Sequence, residues 1–336
     1  MPALHDSQDG CPTTVVVGSC VRKPARCKTN FHPPGAISKL RRVQFRKITL
    51  VGVGLLGGSL GQAVKRRRLA REVAGYVRRE ASIKECAQAG AVDYATTDVL
   101  AAVWDADLIV LCTPLAQMRS LVKQMLPALK PGAIVTDVGS AKATVVKDIC
   151  GLIRKAGAHF VGSHPMAGAE KTGVLAARPD LFECAMCVVT PTKRTNPAAV
   201  RKVEQLWRLV GGRVLRLSPA EHDRLVSRSS HLPHVVAATL AAAVLDPKHS
   251  KEQGMLCATG FRDTTRIASG SPEMWRDIVL ANQRELGASL AGFVRELQRV
   301  QKLLRRGNAG QIQKFFETAK TRRDLWRAGC VSPSLE

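Results

Sequence analysis

The sequence predicts an α/β domain built on a parallel sheet, followed by an all-helical domain. Two observations lead to this fold class. A β-branched apolar run, Ile48 to Val51, leads directly into a glycine-rich turn, and further strand and helix patterns alternate after it. From about Ser218 to Arg327, apolar residues recur at the helical period with no strand alternation. Alternating strands and helices are typical of parallel βαβ units, so the two halves differ in architecture.

The size of the chain suits two globular domains. Its 336 residues, 45% of them hydrophobic, leave room for roughly two domains of about 150 residues with buried cores. Residues 1–45 contain prolines, glycines and no sustained periodicity, so we predict a disordered basic N-terminal extension. We expect 46–217 to form the first domain, 218–328 the helical domain and 329–336 a tail.

No apolar run predicts a membrane helix. Such a helix needs roughly 18 apolar residues, and the longest run, Val235 to Leu245, is shorter. This run is apolar around most of its circumference, so we expect it to be buried on several sides. The sequence therefore predicts no membrane partner.

The ten cysteines are scattered and do not form a tight framework. We therefore expect a cytoplasmic location, although an organellar transit role for the basic N-terminal arm stays open. Cys184 and Cys187 form a C-x-x-C motif without a second pair at zinc-ribbon spacing. We expect core or interface cysteines and no metal; a redox motif is the alternative.

The net charge of +24 raises the possibility of a nucleic-acid partner. However, the cations are spread over the N-terminal arm and the predicted helices, and aromatic residues make up only 4% of the chain. We therefore expect no nucleic-acid binding. Binding of an anionic cofactor and an anionic substrate explains the positive net charge, and so does a solvated basic surface.

The glycine-rich turn predicts a Rossmann-type dinucleotide site. It has the spacing G-x-G-x-x-G directly after a strand and before a helix. Glycine there permits a tight turn and close approach of the backbone to a pyrophosphate, which the helix N-terminus stabilises. The residues expected to line this part of the cofactor site are Gly52, Gly54, Leu55, Leu56 and Gly57.

The end of the second predicted strand bears on the choice of cofactor. NAD-binding sites usually place an acid about 20 residues after the glycines, but this strand, Glu72 to Val77, ends in valine. Arg78 and Arg79 follow, and a guanidinium group suits the 2′-phosphate of NADP. NADP is therefore favoured over NAD. The alternative is that these arginines face solvent, or stack on adenine while NAD binds.

Three further strand ends carry polar residues to the same edge of the sheet, where such folds bind ligands. Thr113 and Pro114 follow the strand Leu108 to Cys112, and we expect them to contact the cofactor. Ser140 follows the strand Ala133 to Asp137; it either hydrogen-bonds the substrate or caps a helix beginning near Ala141. His164 follows a strand predicted at His159 to Val161, in a position suited to a base presented to a bound substrate.

In order, these motifs resemble the prephenate and arogenate dehydrogenase family of tyrosine biosynthesis. The resemblance covers about residues 46–328. It rests on the glycine turn and on five further motifs: Asp137-Val138-Gly139-Ser140-Ala141-Lys142, His164-Pro165-Met166-Ala167-Gly168-Ala169-Glu170, His231-Leu232-Pro233-His234, Gly260-Phe261-Arg262-Asp263-Thr264-Thr265-Arg266-Ile267-Ala268 and Pro272-Glu273-Met274-Trp275-Arg276-Asp277-Ile278. It implies NAD(P)-dependent oxidative decarboxylation of prephenate to 4-hydroxyphenylpyruvate or, as the alternative, of arogenate to tyrosine. It also implies a homodimer with the substrate pocket between domains.

The resemblance implies roles for particular residues. His164 accepts the proton of the substrate's ring hydroxyl as hydride leaves, and Ser140 shares that contact or orients His164. Arg266 holds carboxylates with its planar fork; a surface cation is the alternative. His164 would otherwise be a loop histidine satisfied by backbone groups.

Three more residues are expected around the substrate. Glu170 is placed near the mouth of the site, where it pairs with Arg266 or Arg262, unless it is only a first-turn helix acid. Arg262 stands where the family motif commonly has lysine, which keeps the charge but changes reach. His234 is either a pocket residue or a structural histidine.

Two other classes of function are alternatives. A β-hydroxyacid dehydrogenase shares the Rossmann-plus-helical plan but relies on a helix lysine and lacks this histidine motif. A cofactor-sensing binding protein without catalysis has only the positive charge in its favour.

Overall fold

The computed structural model describes residues 44–169 and 171–331. Eight strands form one sheet in the order β3-β2-β1-β4-β5-β6-β7-β8. Neighbours are parallel except β6 and β7, which are antiparallel. The strands are β1 (Phe45–Val51), β2 (Ala70–Tyr76), β3 (Tyr94–Thr96), β4 (Leu108–Leu111), β5 (Ile134–Asp137), β6 (His159–Pro165), β7 (Met186–Thr190) and β8 (Arg213–Arg216).

Helices connect these strands and cover the sheet. They are α1 (Leu55–Arg66), α2 (Glu80–Gln88), α3 (Val99–Val103), α4 (Leu115–Met125), α5 (Ala143–Lys155) and α6 (Pro197–Leu209). Strand β4 is buried at every residue, as expected for a parallel strand covered on both faces. Two apolar cores result: one holds Phe182 and Trp207, and the other holds Met118 and Ile149.

The order in which successive strands are added to the sheet changes direction at β1. Its neighbours are β2 on one side and β4 on the other, so the connections leave β1 toward opposite edges. In open parallel sheets, ligands bind beyond the carboxyl ends of the strands at such a switch point. The glycine turn after β1 and Thr113 after β4 lie at this point.

The second half of the described chain is helical. A serine cap begins it: the Ser218 side chain accepts from the Glu221 N–H at 3.2 Å, and Pro219 occupies the first turn. The helices are α7 (Pro219–Val226), α8 (Leu232–Val244), α9 (Lys251–Met255), α10 (Thr259–Thr265), α11 (Pro272–Ala281), α12 (Gln283–Arg306) and α13 (Ala309–Val331). A π-helical turn, Ser227–His231, joins α7 to α8.

The predicted fold class, a Rossmann-type domain followed by a helical domain, is confirmed, but three details differ. The short strand β3 was not predicted, because three partly exposed residues give no periodic signal. Strand β6 continues to Pro165, since it pairs with the antiparallel β7, so His164 lies inside a strand and not after it. Helix α5 begins at Ala143, not near Ala141.

Within this chain, the apolar helix α8 is mostly half-buried or exposed. Only Ala237 of α8 is buried among the described residues, so the expectation of burial on several sides stays a prediction. Large apolar side chains are also exposed farther along, among them Leu304, Phe316, Leu325 and Trp326. None of the described helices combines the length and apolar character needed to cross a membrane. The predicted N-terminal extension lies almost wholly outside the described residues.

Candidate active site

The turn between β1 and α1 is built so that glycine is required. Gly52 has φ +99°, and a Cβ there would lie 2.8 Å from Cγ2 of Thr113 and 2.9 Å from the Cys112 carbonyl oxygen. A Cβ on Gly57 would collide with the carbonyl oxygen of Gly52. These two glycines therefore let α1 pack closely against the ends of β1 and β4.

Gly54 plays a different part, because a Cβ on it would meet nothing within 4 Å. It occupies the N-cap position of α1, with no side-chain cap and no acid in the first turn. Leu55 and Leu56, which follow, pack against the core, and the first backbone N–H groups of a helix have no intrahelical partner. Thr113 Oγ1 is buried without a hydrogen-bond partner among the described residues. Open space and unpaired donors at one helix N-terminus fit a dinucleotide pyrophosphate.

We expect Gly54→Ala to weaken cofactor binding without unfolding the protein. The added methyl group meets no protein atom but occupies the space where the backbone would approach the pyrophosphate. The KM for the cofactor should rise at least about tenfold, which is about 1.4 kcal/mol. Gly151→Ala in α5 is the matched control, because a Cβ there also meets nothing within 4 Å. A Gly54→Ala protein with unchanged cofactor KM contradicts the assignment.

His164 is buried in β6 and hydrogen-bonded to a second histidine. Its side chain lies on the last part of the strand, with Nδ1 2.9 Å from Nε2 of His222 in α7. Burial lowers the pKa of His164 well below its ordinary value, and electrostatic interactions with His222, Lys142 and His231 add to this shift. The imidazole is therefore neutral at physiological pH, as a proton acceptor must be.

His222 in turn contacts its neighbour in α7, Asp223. The Asp223 carboxylate binds the start of α5. His222 Nδ1 lies 2.7 Å from Oδ1 of Asp223. The two carboxylate oxygens also accept from the backbone N–H groups of Lys142 and Ala143, at 2.8 Å each. His222 and Asp223 are both almost fully buried. The helical domain thus reaches the sheet through this pair.

Sequence reasoning missed His222 and Asp223. Both stand in the polar stretch Glu221-His222-Asp223 just after a serine cap, which is typical of a solvated first turn. A weak signal was present, because His222 is four residues before the buried Val226 and therefore shares its helix face.

A buried ion pair lies beside the two histidines. The Lys142 ammonium contacts the Asp137 carboxylate and donates to the Ser163 carbonyl oxygen at 2.9 Å, and both side chains are fully buried. Asp137 also accepts from the Ser163 N–H at 3.1 Å. Burial lowers the pKa of Lys142, while Asp137 opposes that shift. This pair ties the end of β5 to β6 one residue before His164.

Ser140 lies beside His231 and does not cap a helix. It is half-buried, and the N-cap of α5 is Lys142, so the predicted capping alternative is wrong. Burial lowers the pKa of His231 to about 4, an effect opposed by Asp223 and by the backbone of Ser140. That interaction places the Ser140 backbone beside His231.

His234, Arg266 and Trp275 form a second group near His231. The ring of His234 stacks on Trp275, with centroids 3.7 Å apart, and its Nδ1 donates to the Ser230 carbonyl oxygen at 3.0 Å. Burial lowers the pKa of His234; the Ser230 hydrogen bond opposes this, and the positive charge of Arg266 adds to it. Arg266 is exposed and close enough to His234 to affect it.

Other predicted site residues are less fully placed. Arg262 is exposed on α10, one helical turn before Arg266. Glu170 lies outside the described residues, so its predicted pairing with Arg266 or Arg262 stays a prediction. Cys184 is exposed, and Cys187 is buried in β7. Across residues 44–169 and 171–331, no cluster of His, Cys, Asp or Glu side chains is arranged to hold a metal.

Comparison with known families decides the assignment. A model of the prephenate dehydrogenase nucleotide-binding domain matches residues 60–216, and one of its dimerization domain matches 218–320. Prephenate dehydrogenase of Bacillus subtilis is 34% identical over 82% of this chain and 75% of its own length. The chain belongs to the prephenate dehydrogenase family. The predicted resemblance is thereby confirmed.

Solved structures of this family share the architecture. Prephenate dehydrogenase from Aquifex aeolicus, in complex with hydroxyphenyl propionate and NAD+, is similar with a TM-score of 0.79 and 32% identity. The match covers 83% of this chain and 98% of that one. Arogenate dehydrogenase from Synechocystis is similar with a TM-score of 0.70 and 31% identity, covering 83% and 99%. The Rossmann-plus-helical plan is therefore that of prephenate dehydrogenases.

Proposed function

We propose that this chain catalyses the NAD(P)-dependent oxidative decarboxylation of prephenate to 4-hydroxyphenylpyruvate. The observation that carries the proposal is the buried, neutral His164 at the carboxyl end of the sheet, the same edge as the glycine turn. Membership in the prephenate dehydrogenase family supports the reaction class. A neutral imidazole beside a dinucleotide cradle suits removal of a hydroxyl proton during hydride loss.

The residues divide the reaction between them. When bound, the nicotinamide supplies the hydride acceptor. His164 takes the proton of the ring hydroxyl as the C–H bond of the same ring carbon breaks, and the substrate's ring carboxylate leaves as CO2. The electron pair of the bond between the ring and this carboxylate makes the ring aromatic, and His164 returns the proton to the ring oxygen. Ser140 shares the hydroxyl contact.

The group around Trp275 is proposed to bind the substrate. Arg266 supplies a planar guanidinium for carboxylates, which can accept two parallel hydrogen bonds from it. Its proximity to His234, and the stack of His234 on Trp275, support a pocket made of these three side chains. Arg262 and Glu170 are proposed to complete the charged rim of that pocket.

For the cofactor, we propose that NADP is preferred over NAD. At the end of β2, Val77 is buried, while Arg78 and Arg79 are exposed. The nearest acid, Glu80, accepts from the Thr97 hydroxyl at 2.8 Å and is thus already engaged. Without a carboxylate at the strand end, little repels a 2′-phosphate, and the two guanidinium groups attract it.

Arg78→Ala should therefore lower kcat/KM for NADP while changing that for NAD little. Loss of one charge-assisted hydrogen bond of about 1.5–3 kcal/mol corresponds to a fall of roughly tenfold or more. Arg71→Ala, an exposed cation near the opposite end of β2, is the control. The measurement is initial rates with each cofactor. A wild-type protein with a strong preference for NAD contradicts the proposal.

We also propose a homodimer formed through the helical domain, with residues 46–217 holding the cofactor and 218–328 completing the substrate pocket. The match to a dimerization domain supports this, and so do the exposed apolar side chains of α12 and α13. The cytoplasmic location, and the absence of nucleic-acid and membrane partners, stay predictions.

The test is to supply the purified protein with prephenate or with arogenate, each with either cofactor, and to identify the product formed. The proposal expects higher kcat/KM with prephenate and 4-hydroxyphenylpyruvate as product. Preference for arogenate, with tyrosine as product, replaces the proposed substrate by the alternative one. Reduction of the cofactor with neither substrate contradicts the proposed function altogether.

A further inference from the structure

We infer that Asp223 and His222 are positioning residues that fix His164 as the Nδ1–H tautomer, which leaves Nε2 as the basic nitrogen. This inference rests on the proposed function, because it assigns how the proposed base is held. It starts from the direction of hydrogen bonds along three side chains, Asp223, His222 and His164, at 2.7 and 2.9 Å.

The direction is set at Asp223. Two backbone N–H groups at the start of α5, which can only donate, point at its two carboxylate oxygens. The carboxylate therefore acts as an acceptor, and its contact with Nδ1 of His222 requires a proton on that nitrogen. When His222 carries only that one proton, its Nε2 has a lone pair and accepts from Nδ1–H of His164.

The same series of hydrogen bonds stabilises His164 after it takes a proton. An imidazolium at His164 keeps its Nδ1–H bond to His222, and the Asp223 charge lies two hydrogen bonds away. Other groups facing the two rings are the Lys142 ammonium, paired with Asp137, and the neutral His231. Asn282 connects Asp223 and His231: its amide donates to the Asp223 carbonyl oxygen at 2.8 Å and contacts His231 Nδ1 at 3.1 Å.

The most direct test reads the tautomers. Two-bond ¹H–¹⁵N spectra of the wild-type protein, labelled only at histidine and recorded at about pH 8, above the ordinary histidine pKa, distinguish Nδ1–H from Nε2–H rings. The signals are assigned with His164→Asn and His222→Gln. We expect both His164 and His222 as Nδ1–H tautomers. An Nε2–H ring at His164 overturns the inference, whatever the substrate of the enzyme.

Enzyme kinetics provide a second test, because a purely structural role of His222 would not lower kcat while leaving the KM values unchanged. His222→Leu should lower kcat with prephenate about 10- to 100-fold, with the KM values of prephenate and cofactor within about twofold. His222→Gln should recover much of the loss, because its amide oxygen can accept from His164 Nδ1. His159→Leu, at the start of β6, is the control. Unchanged kcat in His222→Leu, or a folded Gln variant no better than Leu, contradicts the inference.

The outcomes separate this inference from the proposed function. A wild-type protein that turns over neither prephenate nor arogenate removes the proposed function, while the tautomer spectrum still decides the inference. If His222→Leu does not fold, the wild-type spectrum and the Gln variant decide it.

Discussion

His164→Asn is expected to lower kcat with prephenate by about 10²- to 10⁴-fold, the range for loss of a positioned acid–base group. Asparagine can accept a hydrogen bond from the ring hydroxyl but cannot take its proton. The buried imidazole of the wild type is neutral, because burial lowers its pKa well below the ordinary value, so it is ready to accept that proton. The measurement is the initial rate at saturating prephenate and cofactor.

Two controls keep this result specific. The cofactor Kd, followed by fluorescence titration, should stay near the wild-type value, because the glycine turn at Gly52 to Gly57 does not include His164. His159→Asn makes the same exchange at the other end of β6 and should leave kcat unchanged. Wild-type turnover by His164→Asn rejects this residue as the base.

Arg266→Ala is expected to raise the KM for prephenate about 10- to 100-fold, with a smaller effect on kcat. Hydrogen bonds to charged groups contribute about 1.5–3 kcal/mol, and each 1.4 kcal/mol is about tenfold. The KM of Arg266→Lys for prephenate should lie between those of the wild type and Arg266→Ala, since lysine keeps the charge but lacks the planar guanidinium group. The measurement is the KM from initial rates at saturating cofactor.

The control for this prediction is Arg201→Ala, which removes an exposed cation from α6 in the other domain. It lowers the net charge equally and should leave the KM for prephenate unchanged, which separates a specific contact from general attraction of an anion. A KM within about twofold of wild type in Arg266→Ala removes this residue from carboxylate binding.

The parts of the fold that could be predicted are those determined by short, continuous segments of the sequence. The strand β1 leads into glycines whose turn permits no side chain at Gly52 or Gly57, so both the element and its site are visible in one short segment. The ends of β4 and β5 are marked in the same way, because their apolar residues give way to polar ones at Thr113 and at Thr136 and Asp137.

The remaining parts depend on contacts between distant segments. His164 lies 58 residues before His222 in sequence, and Lys142 lies 81 residues before Asp223, so no local pattern reveals either hydrogen bond. The short strand β3 exists because β2 pairs with it, and β6 extends through His164 because β7 pairs with it. Tertiary pairing, and not propensity, determines these details.

The account depends most on oxidative decarboxylation of prephenate at a site built around His164. Its most direct test measures CO2 released against reduced cofactor formed by the wild-type protein, with the organic product identified in the same reaction. The account predicts one CO2 for each reduced cofactor and 4-hydroxyphenylpyruvate as the product. Reduced cofactor without CO2, or no reaction with prephenate, contradicts it.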